Sequence, residues 1–288
     1  MTAPRTDDDR QLSLFQARSG GIAPRDAQDL MSWPFFSLAK SRRVTPIDFR
    51  MGDVSIRVEA TAEHGMATIW DADILIWAAS QIVDARDKGL RTSRLMAATP
   101  YEILTFIGRD DSARSYARLK AALDRLQSTT VATSIRQPSE RRRHRFSWIN
   151  EWKERQDDAG QPRGIELILP DWFYSGVLND QLILTIGREY FGLKGGIERW
   201  LYRLVRKHGG RQRWGWSFDL EHLHLKSGSL SPLKHFAYDL RAIVRRQPLP
   251  GYQLAIVTDP DGRVRLTFQP NPTDPPTARK PRRRMAGL

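Results

Sequence analysis

Apolar positions at 54, 56 and 58 alternate with polar ones, and a second apolar run, Met66-Ala67-Thr68-Ile69-Trp70, follows; together they predict a short strand pair. Residues 71–86 carry Ile74, Trp77, Ala78 and Ile82 at helical spacing. Thr99-Pro100 opens a second helix bearing Ile103, Phe106 and Ile107, since a cap followed by proline is a favoured helix start. A third begins after Asp110, Asp111 or Ser112 and runs to about residue 127. Residues 131–135 and 165–169 read as strands.

The second half repeats this order. Ile197, Trp200, Leu201, Leu204 and Val205 mark a helix ended by Gly209-Gly210, Leu220 and Leu223 a short one, and Ser231-Pro232 the start of a third. Residues 254–257 and 264–268 alternate around Asp259-Pro260-Asp261-Gly262, a hairpin turn. Ile74 and Trp77 match Ile197 and Trp200, 123 positions on. Ile103, Phe106, Tyr116, Leu119, Leu123 and Leu126 match Leu220, Leu223, Leu233, Phe236, Leu240 and Ile243 at a spacing of 117. Helix, helix, turn, helix and hairpin is the winged-helix order. The expected fold is therefore α+β: two tandem winged-helix domains, over 33–169 and 170–270, each with a β-hairpin wing. Residues 1–32 and 271–288 are polar and rich in Gly, Pro or charge, and read as disordered tails.

Each third helix has two faces. At 100° per residue, Tyr116, Leu119, Leu123 and Leu126 share one stripe, while Arg114, Arg118 and Arg125 fall within about 40° of one another elsewhere, with Ala121 between them. On the later helix Lys234, Tyr238, Arg241 and Arg245 gather opposite Leu233, Phe236, Leu240 and Ile243. Such faces suit phosphates and groove edges. Candidate DNA contacts are Arg114, Ser115, Arg118, Arg125, Lys234, Tyr238, Arg241 and Arg245. Arg141, Arg142 and Arg143 join them at the position expected for the first wing, and Arg263 and Arg265 on the second.

Formal net charge is +13 and pI about 10.4, which favours polyanionic partners. There is no cysteine, so disulfides and thiolate metal sites are excluded and a reducing compartment is expected. No basic-then-apolar leader opens the chain and no apolar run is long enough for a membrane span, so a cytoplasmic protein without membrane contact is expected. Glu221-His222-Leu223-His224 does not place two histidines on one helical face. Glu151-Trp152-Lys153-Glu154 lacks a second spaced acid. Gly187-x4-Gly192-Leu-Lys194 lacks the phosphate-loop ending. With no hydrolase elbow or triad, the reading assigns no catalytic residue, metal or cofactor.

The strings PFFSLAKSRRVTPIDFR (34–50), WDADILIWAASQI (70–82), TPYEILTFIGR (99–109), RRHRFSWINEWKE (142–154), ELILPDWFYSGVL (166–178), GGIERWLYRLVRKHGGR (195–211) and LHLKSGSLSPLKHFAYDLR (223–241) resemble the plasmid replication initiator protein A family. The resemblance implies a bacterial, plasmid-encoded protein that binds repeated origin sites on double-stranded DNA, helps open the duplex and recruits host replication proteins, with host initiator and helicase among the candidates. It leaves a homodimer open. A transcriptional regulator or autorepressor is the alternative. Gln11-Leu12-Ser13-Leu14-Phe15 is similar to the peptide by which bacterial proteins dock to the replicative sliding clamp. As an extended segment it would place Leu12, Leu14 and Phe15 in apolar pockets, with Gln11 hydrogen-bonding at the rim.

Overall fold

A computed structural model describes residues 12–18, 20–136, 144–159, 162–209 and 215–271. The chain enters through β1 (Phe15–Gln16), β2 (Arg25–Ala27) and α1 (Gln28–Ser32), then β3 (Ile47–Met51) and β4 (Val54–Glu59). A first unit follows: α2 (Ala72–Asp87), β5 (Leu95–Ala98), α3 (Pro100–Phe106), α4 (Ala113–Ser128), β6 (Thr130–Thr133), β7 (His144–Ser147), β8 (Glu151–Gln156) and β9 (Pro162–Ile168). α5 (Asp171–Leu178) and β10 (Ile183–Thr185) lead to a second: α6 (Gly196–Gly209), β11 (Trp216–Asp219), α7 (Leu220–Ser227), α8 (Leu233–Arg246), β12 (Tyr252–Thr258) and β13 (Val264–Pro270).

Local chemistry explains the helix starts. Thr99 and Glu102 form a reciprocal capping box, with the Glu102 amide donating to Thr99 and the Glu102 carboxylate accepting from the Thr99 amide at 2.7 Å. Ser112 caps α4 by accepting from the Ser115 amide. At α8 the cap position is Pro232, one residue later than the expected Ser231, and no side chain caps it.

The two units share one topology. In each, the strand between the first two helices is paired by the far arm of a later hairpin, giving sheet orders β5-β9-β8 and β11-β13-β12. The matched positions are buried in kind: Trp77 with Trp200, Leu119 with Phe236, Leu123 with Leu240, Leu126 with Ile243.

The run expected on the first hairpin enters β7 at His144 and Arg145, in a separate four-stranded sheet, β3-β4-β6-β7, while its residues 141–143 lie outside the described residues. The counterpart of β12–β13 in the first unit is β8–β9. The first hairpin after α4 is thus an insertion, held because Phe146 and Trp148 join an aromatic cluster: Phe146 stacks on Trp172 at 4.8 Å and Trp148 on Phe36 at 4.9 Å. Residues 54–58 also pair differently from expectation. β4 lies between β3 and β6, whereas among the described residues the run 66–70 makes one isolated bridge, Thr68 to Ser37.

The expected N-terminal tail is folded wherever it is described. Its apolar residues are spaced too widely to show a period, yet Phe15, Ala17, Ile22, Ala27, Leu30 and Met31 all enter the core. β1 adds to the edge of β5, and β2 pairs with β10. The expected boundary at 169/170 is likewise crossed by packing, since Trp172 of α5 belongs to the first unit's aromatic cluster and one hydrophobic core runs from Phe15 to Phe268.

Two buried ion pairs tie α6 to earlier elements, the first of them joining the units. Arg199 of α6 meets Asp73 of α2, and Arg203 of α6 meets Asp26 of β2 through two hydrogen bonds of 2.7 and 2.9 Å. The α7–α8 turn sits on the entry segment between α1 and β3: Arg43 donates to the Gly228 carbonyl at 2.6 Å and the Lys226 ammonium lies 4.3 Å from the Trp33 ring centre. α4 and α8 are therefore fixed relative to each other by packed side chains rather than by a linker.

Candidate nucleic-acid interface

α4 and α8 occupy matching places in the two units, and each turns its apolar stripe inwards, which leaves a polar stripe outside. On α4, Arg114 and Arg118 are exposed and make no ion pair with any described residue. Ala117 is exposed beside them, so nothing bulky stands between the helix and an approaching surface. On α8, Lys234, Tyr238, Arg241 and Arg245 are exposed at spacings of four, three and four. Tyr238 is 67% exposed, so it presents a ring to solvent rather than closing the core edge. None of these three basic side chains meets a carboxylate among the described residues; the basic neighbour that does is Arg246, paired with Glu198 at 2.8 Å.

Three of the expected contacts are held by side chains of the protein itself. Arg125 forms a two-pronged pair with the buried Asp71, at 2.7 and 2.8 Å. The Asp71 carboxylate holds the guanidinium and raises its pKa further. Ser115 is buried at the helix start and donates to Asp110 at 2.6 Å. Hydrogen bonds from Ser112 and Ser115 hold the Asp110 carboxyl down at about 2, so this acid stays charged at the N-terminus of α4. Arg265 lies between Asp259 at 2.7 Å and Asp219 at 3.3 Å. Arg263, exposed at the hairpin tip, is 3.3 Å from Asp261.

Arg141, Arg142, Arg143 and Gln11 lie outside the described residues. Of the remaining peptide, Leu14 is 48% exposed and Leu12 half-buried, but Phe15 is buried. His224 Nε2 donates to the Ser231 carbonyl at 2.7 Å and His222 stacks on Phe218, so the two histidines serve local packing.

The hairpin β8–β9 carries basic residues that the sequence reading missed. Lys153 and Arg155 share Glu166, at 3.1 and 3.2 Å, and Arg163 pairs with Asp157 at 2.9 Å. A signal was available: Asp157-Asp158-Ala159-Gly160 has the same Asp-x-x-Gly form as the Asp259–Gly262 turn. Lys153, Arg155 and Arg163 on this hairpin and Arg263 on the other are solvent-facing and held by carboxylates, in pairs weak enough to be exchanged for phosphates.

The family model for replication initiator protein A matches residues 25–254. The chain belongs to that family. A protein of Wigglesworthia glossinidia brevipalpis whose name assigns it to replication is 34% identical over 228 residues, which cover 78% of this chain and 82% of that protein. Two crystal structures of domains 2 and 3 of RctB are similar in fold. One, in selenomethionine form, has a TM-score of 0.60 at 15% identity and covers 82% of this chain and 94% of its own. The other has a TM-score of 0.56 at 15% identity, covering 85% and 96%. The family places the initiator's work in replication. Among the described residues no helix is long and apolar enough to cross a membrane, and no group of three His, Asp or Glu could hold a metal ion.

Proposed function

We propose that the chain is an origin-binding initiator whose two units are winged helices, with α4 and α8 entering grooves of double-stranded DNA and the hairpins β8–β9 and β12–β13 gripping the flanking phosphates. The observation that carries this reading is the pair of unneutralised basic faces, Arg114 and Arg118 on α4 and Lys234, Arg241 and Arg245 on α8, at matching places in the two units. The basic side chains of the hairpins meet carboxylates, as do Lys120, Arg125 and Arg246 on the helices themselves; Arg114, Arg118, Lys234, Arg241 and Arg245 meet none among the described residues. Tyr238 adds a flat surface suited to a sugar or base edge. The role is binding, with no catalytic residue and no cofactor. Footprinting on DNA flanking the encoding gene tests it: repeated protected sites are expected, with affinity that falls steeply as salt rises. Protection that is sequence-independent would remove the origin-reading role.

The QLSLF segment supports a second contact, with the replicative sliding clamp. All five positions, Gln11 to Phe15, match the docking peptide described above. Binding of purified clamp should be lost in a Leu14→Ala, Phe15→Ala variant that still binds the origin.

A further inference from the structure

The segment proposed to dock on a partner is already docked on its own protein. Phe15 is 7% exposed and pairs in parallel register with Met96, while Gln16 pairs with Ala97. The Ala17 amide donates to the Ala97 carbonyl at 2.8 Å. Gln81 of α2 clips the strand end from both sides: its side-chain oxygen accepts from the Arg18 amide at 2.9 Å, and its side-chain nitrogen donates to the Arg18 carbonyl at 3.2 Å. The same chain positions cannot fill a partner's pockets while Phe15 occupies this one.

The attachment is small and has a sharp boundary. β1 is two residues long and lies at the edge of its sheet. Beyond it come Gly20, with φ of +128°, and Gly21, and a side chain at either would meet nothing within 4 Å. From residue 22 onwards the chain is firmly tied: Arg188 donates to the Ile22 carbonyl at 2.6 Å, the Arg25 amide donates to Ser80 at 2.7 Å, and Asp26 holds Arg203. A short edge strand on a two-glycine joint, followed by an anchored strand, is the arrangement that lets one segment leave without disturbing the fold.

We infer that residues 12–18 are a displaceable strand with two mutually exclusive docking surfaces: the β5 edge of this chain, and an apolar groove on a protein partner that takes an extended Leu-x-Leu-Phe segment. The inference rests on the clamp reading above. In the closed state Leu14 stays in solvent as a first foothold, and Phe15 transfers only when the Gln81 clip and the β1–β5 pairing open. A strand that is open about a tenth of the time weakens binding about tenfold relative to a free peptide.

The test compares the full chain with a synthetic peptide of residues 7–18 for binding to purified sliding clamp. Gln81→Ala removes the clip without touching the peptide. A Gln16→Cys, Ala97→Cys pair, in a chain with no other cysteine, locks the strand when oxidised and frees it when reduced. Expected is the order peptide, then Gln81→Ala, then the native chain, with the oxidised lock weakest and recovering on reduction. Hydrogen exchange supplies a readout independent of the clamp: the Ala17 amide should be protected in the native chain and lose protection in Gln81→Ala. A native chain that binds as tightly as the peptide, or a lock indifferent to oxidation, overturns the displaceable strand alone. A peptide that does not bind overturns the clamp reading, and the inference with it.

Discussion

One guanidinium nitrogen of Arg199 donates to both carboxylate oxygens of Asp73, at 2.8 Å each, and neither side chain is more than 1% exposed. The other nitrogens of Arg199 donate to the Leu193 and Phe191 carbonyls, so the charge is fully satisfied where water cannot reach. The pair links the first helix of one unit to the first helix of the other. Asp73→Ala would leave a buried arginine without its counter-charge, which costs about 3–5 kcal/mol. Chemical denaturation should show that loss in a single cooperative transition, because the core is continuous. Replacing both partners by apolar residues, Asp73→Leu with Arg199→Met, should recover most of it. Two separate transitions in the native chain would contradict the continuous core.

The same pair marks what the sequence could and could not give away. Helix faces, the Thr99-Pro100 start and the Asp259–Gly262 turn are set by residues close in the chain, so spacing alone exposes them. Asp73 reads from sequence as an ordinary acid in the first turn of a helix; its partner is 126 positions away. Arg125 lies on the same stripe as Arg118, and only the fold brings Asp71 to it. Phe15 was legible as part of a peptide, but not as a core residue, because the edge that receives it is β5, some 80 positions on. Two hairpins follow α4, and the pairing to β5 that makes β8–β9 the counterpart of β12–β13 joins residues some 70 positions apart, which spacing does not reveal.

Arg118 and Arg125 should therefore separate function from stability. Arg118→Ala removes an exposed, unpaired guanidinium and should change the melting free energy by less than about 0.5 kcal/mol. If it reads a base, DNA affinity drops by ~1–3 kcal/mol with relaxed preference at one position. Arg125→Ala strips Asp71 of two charge-assisted hydrogen bonds and should cost ~1.5–3 kcal/mol of stability. Thermal melts and titrations with site DNA check both. An Arg125 variant that melts like the native chain would contradict the geometry.

The turn before α8 should be equally sensitive. Gly228 adopts φ of +61°, and a Cβ there would lie 2.8 Å from the Pro34 Cβ. Gly228→Ala pays the left-handed backbone penalty of ~1–2 kcal/mol and must also push the turn off Pro34. Because that turn carries α8, the variant should lose DNA affinity beyond its loss of stability. Leu230→Ala, in the same loop and 61% exposed, should not do so. Comparing affinities well below both melting points separates the two effects.

Burial and the neighbouring charges of Lys207, Lys226 and His222 push the His208 imidazole down to about 4. Its Nε2 is buried without a hydrogen-bond partner among the described residues. A base with a depressed folded-state pKa binds its proton more readily in the unfolded chain. Between the ordinary value of 6.5 and about 4, the unfolded state gains a proton that the folded state does not. Stability contributed by neutral His208 is thus fully present above pH 6.5 and falls as pH drops through that window. His208 is partly accessible, so the loss should be ~1–2 kcal/mol rather than the full value of the shift. His208→Gln, which cannot take up the proton, should flatten the native chain's decline in melting temperature between pH 6.5 and 4. Parallel profiles for the two proteins would show that His208 titrates normally and that the cationic cluster around it is open to water.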